Sequence, residues 1–209
     1  MKILGVLFFL STTCFWARAQ EQKIVGDCTA VFSISSSEAA TNTNLAGSTK
    51  TLFIKGKLTR VDMSGAAFMQ STFYDDATGS AVILKDLNGA KYMTKIDAQK
   101  WKEQNSRYEG IKITYTGETK TILGYECKRG SALLKDGGSF SFFYATAIIP
   151  SSSENPYQFK DIPGFVLEYE IIGADKNSKI TYSATRINFN PVPASKFEIP
   201  TSGYRVLNN

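Results

Sequence analysis

From Cys28 onward apolar and polar residues alternate at period two in short runs, and turn residues close nearly every run. A period of two puts successive side chains on opposite faces, so this pattern builds strands and leaves little chain for anything else. Ala30, Phe32 and Ile34 share one face over Cys28–Ser35. Thr51–Met63 reads as one long strand bent at Gly56, and Ala66–Tyr74 pairs with it across Ser64-Gly65. Ala81–Lys85 and Ala90–Ile96 flank Asn88-Gly89, a strong hairpin signal because both residues tolerate positive φ. Further strands are expected over Ile111–Gly117, Tyr125–Lys135, Ser139–Ile148, Phe165–Ile172, Ile180–Phe189 and Lys196–Ile199, with turns at Asp136-Gly137-Gly138 and over 174–178. Residues 36–50 lack periodicity and read as an irregular connector. The total is about eleven strands in a mainly β, antiparallel, single domain over 20–209.

One helix stands out, roughly 98–108. The Asp97 carboxylate is suited to accept the free N–H groups of its first turn, and Gly110 can end it in a left-handed conformation. Trp101, Asn105 and Tyr108 form its thin apolar stripe, which suits a helix lying on a sheet rather than within one.

Residues 1–19 have the marks of a secretory signal: Lys2, an apolar run from Ile3 to Leu10, and Ala17-Arg18-Ala19 ahead of cleavage between Ala19 and Gln20. The rival reading, lipid anchoring at Cys14, fits less well, because Ser11-Thr12-Thr13 lacks the small residue wanted before that cysteine. The apolar run is too short to span a bilayer, and no other segment comes close. A periplasmic or envelope location is expected. Without Lys2 and Arg18 the chain's 24 basic and 19 acidic residues leave a net charge of +3. No run of Lys or Arg exceeds two residues, so nucleic acid is not an expected partner. The processed chain keeps Cys28 and Cys127, and an even count in an exported protein favours a disulfide; two separate buried thiols are the alternative.

The chain contains no histidine. That removes Ser-His and Cys-His nucleophile pairs, His-ligated zinc and the usual general base near neutral pH. Asp75-Asp76 reads as a solvated turn, and Glu168 and Glu170 as a solvent-facing stripe. No catalytic residue, cofactor or metal is therefore expected, and the protein is read as a binder rather than an enzyme.

Several strands carry bulky apolar groups. Phe140, Phe142 and Tyr144 share one face, as do Phe165, Leu167, Tyr169 and Ile171; Phe68 and Tyr74 oppose Met69 and Phe73. Two-sided strands fit a curved sheet with a core on one side and a covering helix or ligand on the other, or an ordinary sandwich core.

Two phrases carry a family resemblance. Asp161-Ile162-Pro163-Gly164-Phe165-Val166, with its lead-in Tyr157-Gln158-Phe159-Lys160, and Gly124-Tyr125-Glu126-Cys127-Lys128 resemble the landmarks of the GLPGLI-type exported proteins of Bacteroidetes. The ending Pro191-Val192-Pro193-Ala194-Ser195-Lys196-Phe197-Glu198-Ile199-Pro200 resembles the final-strand ending of LolA-like proteins. Only Pro163 and Gly164 match the name-giving motif outright. The resemblance implies an incomplete antiparallel barrel with a helix over its mouth and a cavity that, in relatives, receives lipid acyl chains. The expected function is thus an exported carrier of a lipid or lipoprotein acyl chain, lined by Phe140, Phe142, Tyr144, Phe165, Leu167 and Tyr169, with Trp101 on the lid. The alternative is an envelope interaction protein with a filled core and a protein partner.

Overall fold

A computed structural model describes residues 22–172 and 178–207. The expected signal segment with its expected Ala19–Gln20 cleavage site, Cys14, and nearly all of the turn over 174–178 lie outside the described residues. In chain order the elements are β1 (Lys23–Val25), β2 (Asp27–Ser36), α1 (Ala39–Asn44), β3 (Thr49–Lys55), β4 (Leu58–Ser64), β5 (Phe68–Asp75), β6 (Ser80–Leu87), β7 (Ala90–Ile96) and α2 (Ala98–Gln104). They continue with β8 (Lys112–Ile122), β9 (Tyr125–Leu133), β10 (Ser139–Ala145), β11 (Ile148–Pro150), β12 (Phe165–Ile172), β13 (Lys179–Asn188) and β14 (Arg205–Leu207). Short 3-10 turns occupy Ser106–Tyr108 and Ala194–Phe197.

Twelve strands form one curved sheet, not closed into a barrel, in the order β14-β7-β6-β5-β4-β3-β2-β13-β12-β10-β9-β8. It consists of two antiparallel meanders, β2 to β7 and β8-β9-β10-β12-β13, joined where β2 pairs with β13, with β14 added in parallel at the β7 edge. Register shifts at Phe143/Tyr144, Ala184/Arg186 and Tyr115/Thr119 insert bulges, which bend strands and increase twist. The small parallel pair β1–β11 lies apart from this sheet.

The mainly β, half-barrel expectation holds, with several local corrections. Thr51–Met63 is a hairpin, not a bent strand. Gly56 takes φ 57°, and Lys55 pairs with Leu58 across it. The 36–50 connector contains α1 and the first two residues of β3. The expected helix is α2 followed by a 3-10 turn, and the Asp97 carboxylate caps it by accepting from Lys100 N at 2.9 Å. Lys196–Ile199 is not a strand. Pro191, Pro193 and Pro200 cannot donate to a ladder, and the chain makes a 3-10 turn there before β14 runs parallel to β7.

Opposed residues in a ladder share a face, so Cys28, Ile54, Thr59 and Tyr74 define one inner face across β2 to β5. That face carries the main core, with Phe32, Leu52, Phe140, Phe142, Phe165 and Leu167 among its buried residues. The opposite face of β5–β7 is also apolar, and the helix α2 does not cover it. The C-terminal segment does so: Tyr204 packs on Phe73, Leu84 and Met93. Arg60 reinforces this contact, with its guanidinium 4.9 Å from the Phe73 ring and donating to the Lys196 carbonyl at 2.7 Å. The connection from β7 to β8 must run between strands near opposite ends of the sheet. Its helix α2 rests on the inner face through Trp101 against Tyr74, Ala81 and Ile96.

The expected Cys28–Cys127 disulfide is absent; both thiols are free and fully buried. They lie on β2 and β9 with β13, β12 and β10 between them. Four strand spacings amount to roughly 19 Å along the sheet, whereas a disulfide needs Cα atoms within about 7 Å. Burial pushes the Cys28 thiol up to about 12 and the Cys127 thiol to about 11. Unfolding the processed chain without reductant should therefore release both thiols to a colorimetric reagent, while the native protein at pH 8 reacts slowly or not at all. A denatured chain with no reactive thiol would restore the bridge. Because folding raises both values above the ordinary 9.0, their contribution to stability is intact below pH 9. It should be lost as pH climbs toward 11–12, seen as a lower urea midpoint at pH 10.5 than at pH 8.

Candidate functional site

Residues 151–164, between β11 and β12, form neither helix nor strand and lie as a strap over the inner face. Phe159 anchors it, 6.0 Å from the Phe140 ring and 5.3 Å from the Tyr169 ring. One end is tied down by Ser151 Oγ donating to the Gly56 carbonyl at 2.8 Å. Mid-strap, Asn155 Oδ1 accepts from Tyr157 N and Gln158 N, and its Nδ2 donates to Asn105 Oδ1 at 3.0 Å. Asn105 in turn donates to the Trp101 carbonyl, so strap and helix are clasped together. At the far end a Cβ on Gly164 would sit 2.3 Å from the Ala145 carbonyl oxygen. The Pro163-Gly164 phrase is thus required by contact with β10; Gly164 is not at positive φ.

Lys50 lies beneath the strap. It is in phase with Leu52 and Ile54 on β3, so alternation aims its ammonium into the core, where its side chain is 2% exposed. The ammonium pairs with the Glu154 carboxylate of the strap and donates to Tyr169 Oη at 3.0 Å. It lies 4.4, 4.7 and 5.4 Å from the ring centres of Phe32, Tyr169 and Tyr182. Tyr169 and Tyr182 face each other across β12–β13 and stack at 4.6 Å. Burial pulls the Lys50 pKa below its ordinary value, and Glu154 pulls it back up. Burial, reinforced by Glu154, holds the Tyr169 phenol well above its ordinary range. The arrangement is a cation in an aromatic cage with one carboxylate, delivered by a segment outside the sheet.

A pocket of about 280 Å³ separates strap from sheet, lined by Leu52, Ile54, Glu154, Phe159, Phe165 and Tyr169 among others. Of the expected liners, Phe140, Phe142, Tyr144, Phe165, Leu167 and Tyr169 do converge on the inner face. They are packed largely on one another, with Phe142 5.9 Å from both Phe140 and Tyr144, and only Phe165 and Tyr169 reach the pocket. Trp101 stands apart, stacked 6.1 Å from Tyr74 in a separate cluster, with its Nε1 buried and unpartnered among the described residues. Sequence reasoning missed Lys50, Glu154, Phe159 and Tyr182. Extending the Leu52–Ile54 alternation back by one step would have found Lys50; no periodicity marks Glu154. Glu168 and Glu170 are engaged outside the core, by Lys120 and Ser183 and by Lys179 respectively.

No family model matches the chain, and no curated protein matches it. Among solved structures it is similar to MucB, at 11% identity and a TM-score of 0.45, covering 84% of this chain and 58% of that one. The Pseudomonas aeruginosa MucA/MucB complex matches at 14% identity and 0.45, again over 58% of its chain. A Vibrio parahaemolyticus domain described as an outer membrane lipoprotein-sorting protein matches at 9% identity and 0.24, covering 82% of this chain and 89% of its own. The chain thus spans little more than half the length of the MucB structures. With TM-scores below 0.5, these likenesses carry no functional argument. Among the described residues no helix is long and apolar enough to cross a membrane.

Three stability predictions follow from the strap. Glu154→Ala strands a buried ammonium and should cost about 3–5 kcal/mol, whereas Lys50→Met with Glu154→Leu should stay close to wild type. Urea denaturation of the three proteins checks both. Gly164→Ala should cost roughly 2–3 kcal/mol by overpacking against β10, a fall of about 5–10 °C in Tm by calorimetry.

Proposed function

We propose that this is an exported envelope protein that binds an apolar ligand beneath the 151–164 strap and performs no chemistry on it. The observation that carries this reading is the pocket between an apolar sheet face and a strap held by a few discrete contacts. Segments without ladder hydrogen bonds open at lower free energy than the sheet beneath them. At about 280 Å³ the pocket lies at the lower edge of ligand-sized cavities, and lifting Phe159 off Phe140 and Tyr169 would enlarge it along the aromatic row. Burial of alkyl surface at about 25 cal/mol per Å² supplies the affinity. The open curved sheet and the GLPGLI-type, LolA-like phrases support the same reading, as does a residue set without histidine.

A second reading, an envelope interaction protein with a filled core, is favoured by one observation. Among the described residues β8 pairs only with β9, leaving an eleven-residue, mostly exposed strand with an edge that a partner's strand could extend.

Purification of the exported form from its native envelope, followed by organic extraction and lipid mass spectrometry, separates the two. A stoichiometric acyl species is expected, and Leu52→Trp, which fills the pocket, should reduce it several-fold. Nothing bound, together with no uptake of a fluorescent fatty acid, would leave the interaction reading.

A further inference from the structure

We propose that the ligand is an anionic amphiphile whose carboxylate or phosphate head pairs with Lys50 in place of Glu154, so that binding itself unlatches the strap. This rests on the binding reading above and adds the head group and the trigger. A buried ammonium needs an anion at all times, since leaving it uncompensated costs several kcal/mol. Glu154 is the carboxylate that meets this need, and it comes from the strap rather than from the sheet.

The geometry gives one direction of approach. Phe32, Tyr169 and Tyr182 enclose the ammonium with their rings, and Tyr169 Oη takes one of its donors. Glu154 and Tyr169 also line the pocket, which runs on to Leu52, Ile54 and Phe165. A head group entering from the pocket therefore reaches Glu154 first, with its tail against those apolar walls. Two anions on one ammonium at this depth repel each other, so the incoming head expels the Glu154 side chain. Once Glu154 leaves, the strap loses its only ion pair to the sheet among the described residues. A neutral amphiphile finds Lys50 already paired and leaves the latch closed. A cationic one is repelled by Lys50.

The test uses the processed, delipidated protein at neutral pH, with a fluorescent polyene fatty acid and its methyl ester as probes. Wild type should bind the acid at least about tenfold more tightly than the ester, a difference of roughly 1.4 kcal/mol. Glu154→Gln, a near-isosteric change that removes the competing charge, should tighten acid binding several-fold, a gain that misfolding does not mimic. The Lys50→Met, Glu154→Leu double variant keeps the packing and should bind acid and ester equally. Competition between a phosphate-headed lysolipid and a fatty acid of the same chain length identifies the source of the anion, and the stronger competitor names it. Equal binding of acid and ester by wild type would overturn the head-group inference while leaving the pocket reading intact. An unchanged acid affinity in Glu154→Gln would overturn the latch. Failure of both probes to bind, in wild type and in Glu154→Gln alike, would overturn the binding reading itself.

Discussion

The ammonium of Lys50 is the constraint around which the inner face is organised. Taking a lysine out of water costs several kcal/mol unless a counter-charge and oriented dipoles replace the solvent. The replacements come from separate segments: Phe32 on β2, Tyr169 on β12, Tyr182 on β13 and Glu154 on the strap. These belong to both meanders, so the cage is complete only when β2 has joined β13 and the strap has folded back. Specific assembly is the return on an interaction that by itself adds little net stability.

That organisation also explains why the aromatic row is more a wall than a vessel. Phe140, Phe142 and Tyr144 satisfy one another, and Phe142 also lies over Gly130, where a Cβ would come within 2.5 Å of its ring. The free volume is displaced to the rim, where the sheet meets an irregular segment. The molecule thereby combines a rigid apolar floor with a roof held by a few polar contacts.

The parts of the structure that were legible from the residues are those set by short-range rules. Period-two alternation placed Phe140, Phe142, Tyr144, Phe165, Leu167 and Tyr169 on one face, and Asn88-Gly89 and the Asp97 cap appear as read. Reading Thr51–Met63 as continuous failed because Gly56 is compatible with either a bend or a reversal, and only pairing with β2 and β5 decides. The cysteines were paired by parity, which is blind to the three strands between them. Lys50 escaped because a lysine at a strand's start normally signals solvent, and its exception depends on Glu154, over a hundred residues away.

The joint between the meanders has a consequence in time. Ser33 Oγ donates to the Ser183 carbonyl across 150 residues of sequence, in the pairing that makes two sheets into one. A ribosome adding about 5–20 residues per second needs roughly 8–30 s to cover that interval. Throughout it the nascent β2–β7 meander has an unpaired strand edge at β2, and Lys50 has Phe32 beside it but neither Glu154 nor the rings of Tyr169 and Tyr182. The chain is therefore obliged to remain unfinished, and open to whatever holds unfolded polypeptides, until β13 has been made.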